Sequence, residues 1–179
     1  MILLLAMAAA LQITPENTPD NLKATLADLQ KLIQADDVVS AGPYARTFLC
    51  DERRLMNALR PDMDPAVRAK IVEMHKVLFD GSDKKAAALF KAKPEQTEIQ
   101  VHGATTDELI LSEKGSVAKV EFPSGARDLA LTILRPGLKF YEVEFLEPGQ
   151  TSGLKLHLFF WDGKNWAMMG PAWTVVKKK

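Results

Sequence analysis

KFYEVEFL at 139–146 and LKLHLFFW at 154–161 decide how this chain folds. In the first, Tyr141, Val143 and Phe145 alternate with Glu142 and Glu144. In the second, Leu154, Leu156, Leu158 and Phe160 alternate with Lys155, His157, Phe159 and Trp161. A period of two belongs to a strand whose faces meet different surroundings. Turn residues frame both segments: Pro136-Gly137 before the first, Glu147-Pro148-Gly149 between them, Asp162-Gly163-Lys164-Asn165 after the second. The last of these leads into a final strand from Trp166 through Val176. Strands at this spacing predict an antiparallel meander.

Upstream, Ile99 and Val101 carry the same alternation. Leu109 to Leu111 and Val117 to Phe122 flank Glu113-Lys114-Gly115-Ser116, which reads as a hairpin. Pro123-Ser124-Gly125 is a turn before Leu129, Leu131 and Ile133. The strand part thus covers 95–176. Alternating Glu142 and Glu144 read as the wet face of a half-buried sheet.

Before residue 95 the period is helical. Thr18 can cap a helix that Pro19 and Asp20 open, with Leu22, Leu26, Leu29 and Ile33 in one stripe. Gly42-Pro43 is expected to break any helix there. Tyr44, Phe48 and Leu49 start a short second helix, and Leu55, Met56 and Leu59 a third turn or two. Asp64 and Pro65 open the next clear helix, through Val67, Ile71, Met74 and Leu78, stopped at Asp80-Gly81. Ser82 can cap a short helix through Phe90. Helices followed by strands mean α+β: N-terminal helices of 18–93 packed against a curved antiparallel β-sheet from the C-terminal half, together one domain over 18–176.

Residues 2–11, ILLLAMAAAL, are ten apolar residues. A spanning helix needs about 20, so the run reads as the core of a secretory signal peptide, with Ala8-Ala9-Ala10 as the cleavage site. The expected division is a signal at 1–10, a linker at 11–17, and a mature chain without a membrane span. An N-terminal helix packed on the domain is the alternative.

The chain has 179 residues, 23 Lys+Arg against 23 Asp+Glu, and one cysteine. Zero net charge argues against nucleic-acid binding. One cysteine excludes an internal disulfide and a cysteine-cluster metal site. His75, His102 and His157 show no paired zinc spacing, and no metal or cofactor is expected. His75 reads as a boundary residue of its helix. Cys50 sits beside Asp51 and Glu52, with Arg53 and Arg54 next, and reads as a half-buried structural thiol. His157 reads first as a surface residue; if its face lined a cavity, it could form an acid–base pair with Glu142 or Glu144. Asp107-Glu108 is the other carboxylate pair outside the helices and is not read as catalytic. Phe159, Phe160, Trp161, Trp166 and Trp173 cluster about the last turn, as a structural clamp or the rim of a ligand pocket.

The long helix of Leu22, Leu26, Leu29, Ile33 and Asp36, the aromatic turn at Tyr44–Leu49 and the close at Phe160–Met169 resemble exported bacterial proteins of the nuclear-transport-factor-two-like superfamily. The resemblance implies a cone-shaped α+β fold with a pocket at its open end. It covers most of 18–175. Many members insert a helix between early strands, whereas this chain reads as all helices before all strands. The superfamily holds isomerases, dehydratases and non-catalytic members, and no catalytic residue carries over.

The expectation that follows is an exported, non-catalytic binding or accessory domain. Its modest aromatic pocket is drawn from Tyr141, His157, Trp161 and Trp166, without a buried ionisable pair, and its partner is a small molecule or an envelope protein. One alternative is a cofactor-free isomerase- or dehydratase-like enzyme. The other is a cell-envelope interaction module using a sheet edge or apolar patch, with a homodimer as one form.

Overall fold

The computed structural model describes residues 17–79 and 81–176. The segment expected as a signal peptide, 1–10, and all of the expected linker except Asn17 lie outside the described residues.

Five helices come first: α1 (Pro19–Gln34), α2 (Val38–Arg46), α3 (Glu52–Ala58), α4 (Pro65–Phe79) and α5 (Asp83–Leu89). Thr18 caps α1 as its sequence predicts, its hydroxyl accepting the Asn21 N–H at 3.2 Å. Leu22, Leu26 and Leu29 form the buried stripe. The break at Gly42-Pro43 does not occur, because α2 runs through both residues. Gly42 serves packing instead: a Cβ there would come within 2.1 Å of the Asp83 Cβ, so glycine lets α2 and α5 touch.

The strands are β1 (Glu98–Thr105), β2 (Lys139–Leu146), β3 (Leu154–Trp161) and β4 (Trp166–Met168), an antiparallel sheet in the order β1-β2-β3-β4. The fold is α+β, but the order of elements differs from expectation. Three helices separate β1 from β2: α6 (Thr106–Leu111), α7 (Val117–Val120) and α8 (Ser124–Thr132). The hairpin across 113–116 and the strand through Leu129 are therefore wrong. Thr105 and Glu108 make a reciprocal capping box that starts α6, and the Ser116 hydroxyl accepts the Lys119 N–H to start α7. Along α8, Gly125, Ala126, Leu129 and Ala130 are buried at helical spacing. The last strand is also shorter than read: β4 stops at Met168, and a 3-10 turn follows at Ala172–Thr174.

Both faces of the sheet are covered. One carries Ile99, Tyr141, Val143, Phe145, Phe159, Trp166 and Met168 against buried residues of α1, α2 and α5. The other carries Ala104, Phe140, Leu158, Phe160 and Ala167 against α3, α4, α6, α7 and α8. A bulge in β3 makes this division possible. The register slips between Tyr141 and Val143, and Leu158 takes a left-handed φ of 54°. Leu154 and Leu156 face one core, after which Leu158 and Phe160 face the other. The outer edge of β4 is closed by the Met168 N–H donating to the Phe48 carbonyl, with Leu49 bridging in parallel.

Candidate functional site

The four residues expected to line one pocket lie on two sides of the sheet. Tyr141, Trp161 and Trp166 come together on the α1 face. The Trp166 ring meets Tyr141 edge-on at 5.2 Å and Trp161 at 5.3 Å. The Trp166 Nε1–H donates to Asn21 Oδ1 at 2.7 Å, and the Tyr141 hydroxyl donates to Asn17. Tyr141 and Trp166 are buried. Their polar atoms are satisfied by the start of α1, so this ladder acts as the structural clamp.

His157 lies on the opposite face, and its surroundings correct two expectations. Glu142 is fully buried, not wet. Its Oε2 is 2.6 Å from His157 Nδ1, and its Oε1 accepts the Leu158 N–H at 3.3 Å. One carboxylate thus holds both residues of the β3 bulge. Burial raises the Glu142 carboxyl above its ordinary value, partly offset by the His157 hydrogen bond. The His157 ring packs edge-on against Trp173 at 5.1 Å. The side chain is 24% exposed, so it is neither a plain surface residue nor enclosed.

The polar group continues sideways. Lys155 Nζ is 3.3 Å from Glu144 and 3.6 Å from Glu121, at the end of α7. His102 Nε2 on β1 is 3.7 Å from Glu121. Glu144 also accepts the Gly153 N–H at 2.8 Å. The sheet alternation marked these residues as polar; it could not show that α7 folds back over them. Asp107 and Glu108 are exposed, and Glu108 is spent on its capping box.

Two clefts lie away from these residues. The first, about 600 Å³, is lined by Cys50, Glu52, Leu55, Val72, His75 and Lys76. Cys50 and His75 both line it, and both are buried. The Cys50 thiol donates to the Met168 carbonyl at 3.6 Å, and burial pushes it up to about 12. Burial pushes His75 down to about 4, against a hydrogen bond with the Met169 backbone. At neutral pH both are uncharged, so no thiolate–imidazolium nucleophile forms. His75 is a core residue, not a boundary one. Among the described residues no group of three or more His, Cys, Asp or Glu is placed to hold a metal, and no helix is long and apolar enough to cross a membrane.

The second cleft, about 670 Å³, opens between the start of α4, α8 and the chain after β4. Met63, Val67, Leu129, Leu131 and Val176 make its apolar walls, with Trp173 on one side. Trp173 packs against Gly125, where a Cβ would come within 2.2 Å of the indole. The sequence reading did not place a pocket here, because it took α8 for a strand and Trp173 for the end of another. The helical spacing of Ala126, Leu129 and Ala130 was the available signal.

No family model, curated protein or solved structure matches the chain.

Proposed function

We propose that this protein is a non-catalytic binding domain and that the cleft between α4 and α8 is its site for a small, largely apolar molecule. The observation that carries the reading is the cleft itself. Its size falls within the range of ligand sites, and it combines apolar walls, a tryptophan and a few polar groups such as Ser124 and Thr132. On this reading the aromatic contact of the ligand is Trp173, in place of the set Tyr141, His157, Trp161 and Trp166 expected from the sequence. An exported setting accords with the apolar run at 2–11.

A titration with the neutral dye Nile red tests the site. Wild-type protein is expected to bind one dye with saturation. Leu131→Arg is expected to abolish binding without loss of stability, because Leu131 is 55% exposed on the cleft wall. Unsaturated binding, or binding indifferent to Leu131→Arg, overturns the reading.

An isomerase-like reading has one observation in its favour, the buried Glu142 that orients His157 beside an aromatic wall. Both oxygens of that carboxylate serve the bulge, which supports a structural role first.

A further inference from the structure

Six ionisable side chains share the sheet face beneath α7 and beside Trp173. They are His102 of β1, Glu142 and Glu144 of β2, Lys155 and His157 of β3, and Glu121 at the end of α7. Each is at least half buried: Glu142 is fully enclosed, Glu144 is 10% exposed at its side chain, and the other four are 24–27% exposed. Arg127 of α8 donates to the Lys119 and Phe122 carbonyls that flank Glu121, and forms no ion pair with these carboxylates among the described residues. Lys119 itself is exposed.

The charges do not balance at high pH. Three carboxylates face one ammonium, and both histidines are then neutral. The group carries two negative charges in a poorly hydrated place, where unbalanced charge is expensive. Two protons bring it to neutrality. Histidine is the side chain able to take them near neutral pH, and each histidine already has a carboxylate beside it, at 2.6 Å and 3.7 Å.

Lys155 and His157 of the cluster also contact two segments that pack on the sheet, the end of α7 and the turn carrying Trp173. Lys155 donates to the Glu121 carbonyl at 3.2 Å and so ties down the end of α7. The His157 carbonyl accepts the Gly170 N–H at 3.1 Å, and its ring backs Trp173. We propose that this cluster is a proton-dependent lock, in which protons taken up at His102 and His157 fasten α7 and the turn carrying Trp173 to the sheet.

The test compares the full wild-type chain with His102→Gln/His157→Gln by urea unfolding at pH 8 and pH 6. His75 is present in both proteins, so its own titration cancels in the difference. From pH 8 to pH 6 the wild type is expected to gain about tenfold in folding equilibrium relative to the double variant. Equal pH dependence in the two proteins overturns the proposal. Hydrogen exchange on wild type alone covers the case of a double variant that does not fold. Corrected for intrinsic rates, amides of 117–122 and 169–176 are expected to gain protection from pH 8 to pH 6 relative to amides of α1, whose change carries the effect of His75. No gain relative to α1 overturns the lock.

Discussion

Glu142 shows how far a single residue can depart from what its neighbours suggest. Alternation along β2 marks it as solvent-facing, and alternation correctly assigns its face. It cannot say that a second layer of helices covers that face. His75 is the same case on a helix: its position beside Met74 suggests a boundary, yet it is 3% exposed. Its burial has a consequence for acid stability. The folded histidine is held neutral, with its pKa lowered from 6.5 to about 4. As pH falls below 6.5 the unfolded chain takes up a proton that the folded chain refuses, so stability drops until the folded form titrates near 4 as well. The loss attributable to His75 reaches about 3 kcal/mol. Urea unfolding between pH 7 and pH 4 is expected to show a shallower decline in His75→Gln than in wild type. Parallel declines would assign the acid sensitivity elsewhere.

At the scale of elements, α1 and α4 were legible because caps and stripes agree, whereas α2 was not, because Gly42-Pro43 reads as a break. Thr18-Pro19 and Asp64-Pro65 each precede apolar residues at helical spacing. The segment 106–132 was misread because its apolar runs are too short to show a period. Leu109 to Leu111 fits a strand as well as one helical turn. The deciding signal was Thr105 with Glu108 three positions on. Thr105→Ala removes the hydroxyl that accepts the Glu108 N–H. It is expected to destabilise the protein by about 1 kcal/mol, read as a lowered urea midpoint; an unchanged midpoint would mean that packing alone fixes α6. The cleft was illegible for the same reason, since one of its walls is α8. Arg54 is a further residue that only the fold reveals. It sits 2.5 Å from Asp162 and donates to the carbonyls of Thr47, Leu49 and Trp166, joining the end of α2, α3 and the β3–β4 turn. Burial alone would raise the Asp162 carboxyl; the N–H groups of Asn165 and Lys164 and the Arg54 guanidinium outweigh it and hold it below its ordinary value.

Across the whole molecule, the sheet is a partition between two apolar cores. Phe159 belongs to the core under α1, α2 and α5, and Phe160 to the core under α3, α4 and α6 to α8. Each is fully buried. Phe159→Ala and Phe160→Ala are each expected to cost about 3–5 kcal/mol. If the shared sheet couples the cores, fluorescence and circular dichroism report one coincident unfolding transition in either variant. Separate transitions would mean that the two sides melt independently.

The bulge at His157–Leu158 also sets a counting rule for β3. Up to Leu156 the even-numbered side chains serve the α1 side; from Phe159 onward the odd-numbered ones do. The strand therefore changes parity once, and the residue that changes it is held by one buried carboxylate. Loss of a single residue between Leu156 and Phe159 would restore an unbroken alternation that fits the new count on both sides. Substitution of Glu142 would instead leave the extra residue in place and remove what accommodates it. The hydrogen bond from the Leu158 N–H to Glu142 is thus needed only because the extra residue is there, whereas the contact of the same carboxylate with His157 serves the charged cluster.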